Sequence, residues 1–131
     1  MRRQSRELAL QILFQTEFAP QLSILNLLKI FDESLDPETV EFAQKLINGV
    51  NEFKGKIDSK IQSASSHWKL ERMANVDRNV LRISTYEMLF APELLKQNIA
   101  INEAIEIARK YGTTDSANFV NGILDQIAKS K

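Results

Sequence analysis

The chain has 131 residues, 44% hydrophobic and 26% charged, and its 17 basic and 17 acidic side chains cancel. A core burying about two thirds of the unfolded chain's surface is within reach, which excludes disorder for most of it; the lack of cysteine excludes disulfides, thiolate nucleophiles and cysteine-type zinc sites. One histidine leaves no multi-histidine metal site, no apolar run reaches 18 residues, and Gln11, Gln15 and Glu17 interrupt the segment behind the basic start, so neither a membrane span nor a secretory signal is expected and the cytoplasm is the default location.

Four glycines and three prolines leave helical spacing in view almost throughout. A first helix is expected from Ser5, as N-cap, to Phe18, with Leu8, Ala9, Ile12 and Leu13 on one face and Leu10 and Phe14 widening it; Pro20 closes it. A short second helix covers Ser23 to Phe31, turning Leu27, Leu28 and Phe31 inward. The third has a strong start signal, Asp36 as N-cap with Pro37 at the first helical position and Glu38 behind it. Its stripe is Val40, Ala43, Ile47 and Val50, joined by Leu46 and Phe53.

Gly55 interrupts the pattern, and a fourth helix follows with Ile57, Ile61 and Ala64 inward. Trp68, Leu70 and Met73 sit in a connector and read as a plug over the core. The fifth helix, Asn75 to Ala91, is apolar round most of its circumference, with only Arg78, Arg82 and Thr85 on a narrow polar side; such a helix belongs at the centre. A sixth runs from Asn98 to Tyr111 and stops at Gly112, and a seventh from Thr114–Asp115 to Ala128 carries Val120, Ile123, Leu124 and Ile127 inward. The expected architecture is all-α, one globular domain of seven helices over residues 1–131.

Catalytic signatures are poor. The glycines at 49, 55, 112 and 122 are too scattered for a phosphate loop, His67 reads as a surface connector residue, and Glu103 with Glu106 as a solvated helix face. Binding signatures are better. Charge is separated along the chain: Arg2, Arg3 and Arg6 open it, Asp32, Glu33, Asp36, Glu38 and Glu41 form an acidic run, and Lys54, Lys56, Lys60, Lys69 and Arg72 follow. Arginines at a helix N-terminus oppose the macrodipole, which favours a role in contacting phosphates of single-stranded RNA. Lys69, Arg72, Arg78 and Arg82 could extend that arm. Phe119 lies at the edge of its helix's apolar arc, with Asp115 a turn earlier and Gly122 beside it; an interior glycine costs ~1 kcal/mol and suggests close approach of another backbone. Glu87 falls inside an apolar stripe and calls for an internal partner.

The string Arg3 to Gln15 resembles the opening helix of the NusB family of bacterial transcription antitermination factors. Trp68 to Met73, Val76 to Ile83 with Tyr86–Glu87, Ala100 to Ala104, and Phe119 to Asp125 resemble further family strings, in the same order and spacing. The resemblance implies two packed helical sub-bundles and no enzymatic activity or cofactor. It also implies binding to the boxA element of ribosomal RNA leader transcripts together with ribosomal protein NusE, and so, indirectly, action on the transcribing RNA polymerase complex. By position, the RNA arm corresponds to Arg2, Arg3 and Arg6, and the protein-partner surface to Asp77, Asp115 and Phe119, with Phe14 beside them. The segment Pro92 to Asn98 departs from the short turn usual in the family, and the arm is short. Two other readings stand beside this one: a non-catalytic adaptor module like the N-terminal domain of ribosomal RNA cytosine methyltransferases, and a homodimer that covers the arm.

Overall fold

The computed structural model describes residues 2–21, 23–32 and 35–130, without the side chains of Ile30, Phe31 and Asp32; the expected inward placement of Phe31, and Glu33 of the acidic run, lie outside the described residues. Among the described residues there are seven α-helices and no strand: α1 (Arg2–Phe18), α2 (Ile24–Asp32), α3 (Pro37–Glu52), α4 (Lys54–Ala64), α5 (Asn75–Leu89), α6 (Gln97–Tyr111) and α7 (Ser116–Ser130), with a 3-10 turn at Leu70–Arg72 before α5. Helices α1 to α3 pack on one side and α4 to α7 on the other, and α5 touches both groups.

The apolar stripes account for this packing. Leu8, Ala9, Leu10, Ile12 and Leu13 of α1 are buried against Ala43, Leu46, Ile47 and Val50 of α3 and the face of α5. Helix α5 goes beyond a stripe: every residue from Asn79 to Met88 is buried, so it is enclosed all round as its composition requires. The α3 start is as expected, with the Asp36 carboxylate accepting the Glu38 N–H at 3.0 Å and the Thr39 hydroxyl. Those bonds, the Thr39 hydroxyl's foremost, hold the Asp36 carboxyl below its ordinary range.

Several local expectations are corrected. Helix α1 begins at Arg2, and Ser5 is no cap: it is buried one turn in, with its hydroxyl donating to the Thr39 carbonyl at 2.8 Å. Gly55 does not break the chain's helix but lies in the first turn of α4. Gly112 ends α6 without a left-handed backbone (φ −95°); a Cβ there would run into Ser116, whose hydroxyl accepts the Thr113 N–H at 2.9 Å and tightens the turn into α7. Gly49, which carried no signal in sequence, lets α3 close on α5, for a Cβ at that position would occupy the space of the Tyr86 ring. Gly122 is the reverse case: it is exposed, and no atom of the chain stands where its Cβ would be. Leu70 and Met73 are buried as plug residues, but Trp68 is 59% exposed.

Candidate RNA and partner surfaces

The sequence gathers seven cationic candidates, and burial sorts them. Arg6 faces inward because it shares the spacing of Ala9, Leu10 and Leu13 on α1, at three, four and seven residues. Its Nε donates to Glu87 Oε1 at 2.6 Å and Nη2 to Glu87 Oε2 at 2.9 Å, while Nη1 reaches Glu103 Oε1 at 3.0 Å. Burial opposes the guanidinium charge, but the Glu87 hydrogen bonds and the charges of Glu87 and Glu103 outweigh it, and the Arg6 pKa is raised overall. Glu87 therefore has the internal partner its stripe called for. Arg6 is removed from the set of free phosphate contacts, since both its exposure and its donors are already committed.

Arg82 and Arg78 are corrected for the same reason. Arg82, 6% exposed, donates from Nε and Nη2 to Asp58 at 2.8 and 3.1 Å and from Nη1 to Glu17 at 2.6 Å. Arg78, half-buried, donates to Glu17 at 2.6 Å and to the carbonyls of Leu70 and Met73 at 3.3 and 2.9 Å. Burial pushes the Glu17 carboxyl up, but the bonds from Arg78 and Arg82 prevail and its pKa is lowered. Thr85, the third member of the supposed polar side, is fully buried.

Arg2, Arg3, Lys69 and Arg72 remain exposed. The Arg2 guanidinium sits 3.6 Å from the Phe42 ring centroid, a cation–π contact that tethers the arm. Arg3 reaches Glu103 with Nε at 2.9 Å, so Glu103 is not the solvated residue expected; hydrogen bonding by Arg3 leads the causes that lower its pKa. Lys69 and Arg72 make no ion pair among the described residues. The four do not form one surface. Arg6 of α1 meets Glu87 of α5 while Glu17 meets Arg78, so the two helices run antiparallel and the 3-10 turn lies at the far end of α1 from the arm. Fourteen helical rises from Arg3 to Glu17 put about 20 Å between the two groups.

That far end also collects the partner candidates. Phe14 is half-buried and lines an open groove of about 520 Å³ with Leu10, Gln11, Gln15, Val76 and Tyr111. Tyr111 ends α6 just before the turn that carries Asp115, which is exposed, and Phe119 follows one turn into α7. Phe119 is half-buried and meets Trp68 edge-on, with ring centroids 6.2 Å apart. Asp77, next to the groove residue Val76, is less accessible than its assigned role suggested: it is 8% exposed, in the first turn of α5, and its Oδ1 has no hydrogen-bond partner among the described residues. The helix N-terminus there favours a negative charge.

These features define a helical binding protein with a cationic arm at one end and an aromatic, acidic and partly cationic surface at the other. The model of the NusB family matches residues 3–129, and the chain belongs to that family. Transcription antitermination protein NusB of Bdellovibrio bacteriovorus is 62% identical over 98% of this chain and 96% of its own length. The solved structure of T. maritima NusB superposes with a TM-score of 0.89 at 44% identity, covering 99% of this chain and 92% of that one. A crystal structure of antitermination factors NusB and NusE in complex with dsRNA gives a TM-score of 0.83 at 23% identity over 99% of this chain and 97% of that one, a likeness of fold.

Proposed function

We propose that this chain is a transcription antitermination factor that holds boxA-type RNA of ribosomal RNA leader transcripts together with ribosomal protein NusE, so that RNA polymerase passes terminators. The observation that carries the reading is the 62% identity to an antitermination protein over nearly the whole of both chains. The role is one of binding, without catalysis or cofactor. Phe119 is the anchor of the partner surface, with Asp115 taking a lysine or arginine and Phe14 and Asp77 bordering it. The exposed Arg2 and Arg3 take RNA phosphates at the other end.

Calorimetric titration of NusE into the wild type and Phe119→Ala, beside thermal melts of each, tests the partner surface. Loss of about 2 kcal/mol or more in binding is expected, as for truncated interface anchors, with a smaller stability loss than the roughly 3–5 kcal/mol of a core aromatic. Unchanged binding would remove Phe119 from the interface. Gel shifts with boxA RNA, with and without NusE, test the RNA role, and sedimentation of the chain alone tests the homodimer as the competing use of the arm. RNA binding that is insensitive to Arg2→Ala and Arg3→Ala in salt dependence would move the RNA site elsewhere; each neutralised phosphate contributes roughly −0.7 to the log–log slope.

A further inference from the structure

Trp68 is the only tryptophan in the chain and is 59% exposed. Tryptophan is usually well covered, and here its exposure is enforced by the backbone. Gln62 Nε2 donates to the Trp68 carbonyl at 2.8 Å, and Gln62 Oε1 accepts the N–H of Leu70 at 2.9 Å. The Ser65 hydroxyl donates to the same Trp68 carbonyl at 3.2 Å, and the Trp68 N–H donates to the Ser65 carbonyl at 3.2 Å. Behind it, Leu70 and Met73 are buried and fix the connector to the core. The indole is thus presented on a braced loop, with one edge-on ring contact to Phe119.

Its neighbours are cations with free donors. Lys69 follows it directly and Arg72 closes the 3-10 turn; both are exposed and neither is in an ion pair among the described residues. Glu71 is the single acid between His67 and Val76. An exposed, held aromatic beside cations that make no ion pair is an arrangement that takes a nucleobase on the ring and its flanking phosphates on the side chains.

We infer that Trp68, Lys69 and Arg72 form a second contact site for single-stranded RNA, with Trp68 stacking on an unpaired base and Lys69 and Arg72 binding the adjacent phosphates. The inference rests on the RNA-binding reading above and adds a base contact about 20 Å from the Arg2–Arg3 arm. A strand held at both sites would span the length of α1. Protein contact through the same indole is the competing use, since Phe119 adjoins it.

The test uses the intrinsic emission of Trp68 in the full chain. An oligouridylate of about 12 nucleotides, within the span of ordinary single-strand sites, is titrated at low salt while a gel shift follows binding independently. Stacking should quench the emission in step with the bound fraction. Trp68→Ala should weaken binding about tenfold, whereas Trp68→Phe, which keeps a π-face, should stay within about threefold of wild type. Lys69→Ala with Arg72→Ala should make the salt dependence shallower. RNA bound with no change in emission and no effect of Trp68→Ala would overturn the inference and leave the arm and the RNA reading in place. No oligouridylate binding at all would overturn the inference, and the gel shift with boxA RNA and NusE would then decide the RNA-binding reading by itself. Emission that responds to NusE without RNA, and not to RNA, would give the indole to the protein partner and end the proposal.

Discussion

Deleting the Glu87 carboxylate strands a buried guanidinium. In Glu87→Ala, Arg6 loses bonds of 2.6 and 2.9 Å and keeps the Glu103 contact at 3.0 Å. Removing one partner of a buried pair costs roughly 3–5 kcal/mol; the surviving Glu103 contact puts the expected loss near the lower end, at about 3 kcal/mol. Glu103→Ala should cost only about 1 kcal/mol, because its side chain is 20% exposed and one of its two partners, Arg3, is 44% exposed and hydrated when released. The double variant should lose more than the sum of the two, by about 1 kcal/mol, since only then is Arg6 without a carboxylate. Joint replacement, Arg6→Met with Glu87→Leu, removes both charges and should be milder than Glu87→Ala. Urea unfolding followed by far-ultraviolet circular dichroism gives all five stabilities. A Glu87→Ala loss below about 1 kcal/mol, or strict additivity with Glu103→Ala, would show that the pair is not the buried clamp described.

Gly49→Ala should destabilise by about 1–2 kcal/mol, overpacking against Tyr86 being partly offset by better helix propensity; in a Tyr86→Ala background the same change should turn stabilising, and a denaturation cycle with no sign reversal would contradict the contact. Gly122→Ala meets open space in mid-helix and should raise stability by roughly 0.5–1 kcal/mol, so a lower melting temperature would mean that something does approach there. The lowered pKa of Glu17 gives a pH dependence: its folded value lies below the unfolded one, so the stabilisation is complete above roughly pH 4.3 and is lost as pH falls through the folded value. Urea midpoints of the wild type and Glu17→Gln should therefore converge on acidification, and parallel curves would refute the linkage.

Helix identity was legible because burial and period coincide. The α3 start could be read outright from Asp36–Pro37–Glu38, since a cap is a local device. Glu87 was legible as a residue in need of a partner, but not which partner, because Arg6 is 81 positions away. The spacing of Arg6 with Ala9, Leu10 and Leu13 carried the signal of its burial; it was masked by Arg2 and Arg3, which belong to the same charge cluster and face out. Arg78 and Arg82 looked like a polar side because a helical wheel has no view of Glu17 and Asp58 on other helices. Gly49 and Gly122 show the limit most plainly: both sit inside helices, one is filled by a ring and the other faces solvent, and only the neighbour distinguishes them. The phenyl and carboxylate of the proposed partner surface could be named from the last helix and its start, whereas the meeting of the Phe119 ring with Trp68 required the connector to be folded.

Helix α1 has its buried arginine near the start and its glutamate near the end, and α5 repeats that order in its own direction: Arg78 and Arg82 first, Glu87 last. Only opposed directions bring unlike charges together; side by side in the same sense, Arg6 would face Arg78 and Glu17 would face Glu87. The polarity of the pair is therefore written into five side chains, apart from the apolar surface that glues the helices in either sense. It also ties the histories of distant positions. A lineage that replaces Arg6 alone, or Glu87 alone, must pass through a chain with an orphaned interior charge, so positions 6 and 87 are free to drift only in concert, whereas replacing Arg2, a single turn away and open to water, orphans no interior charge.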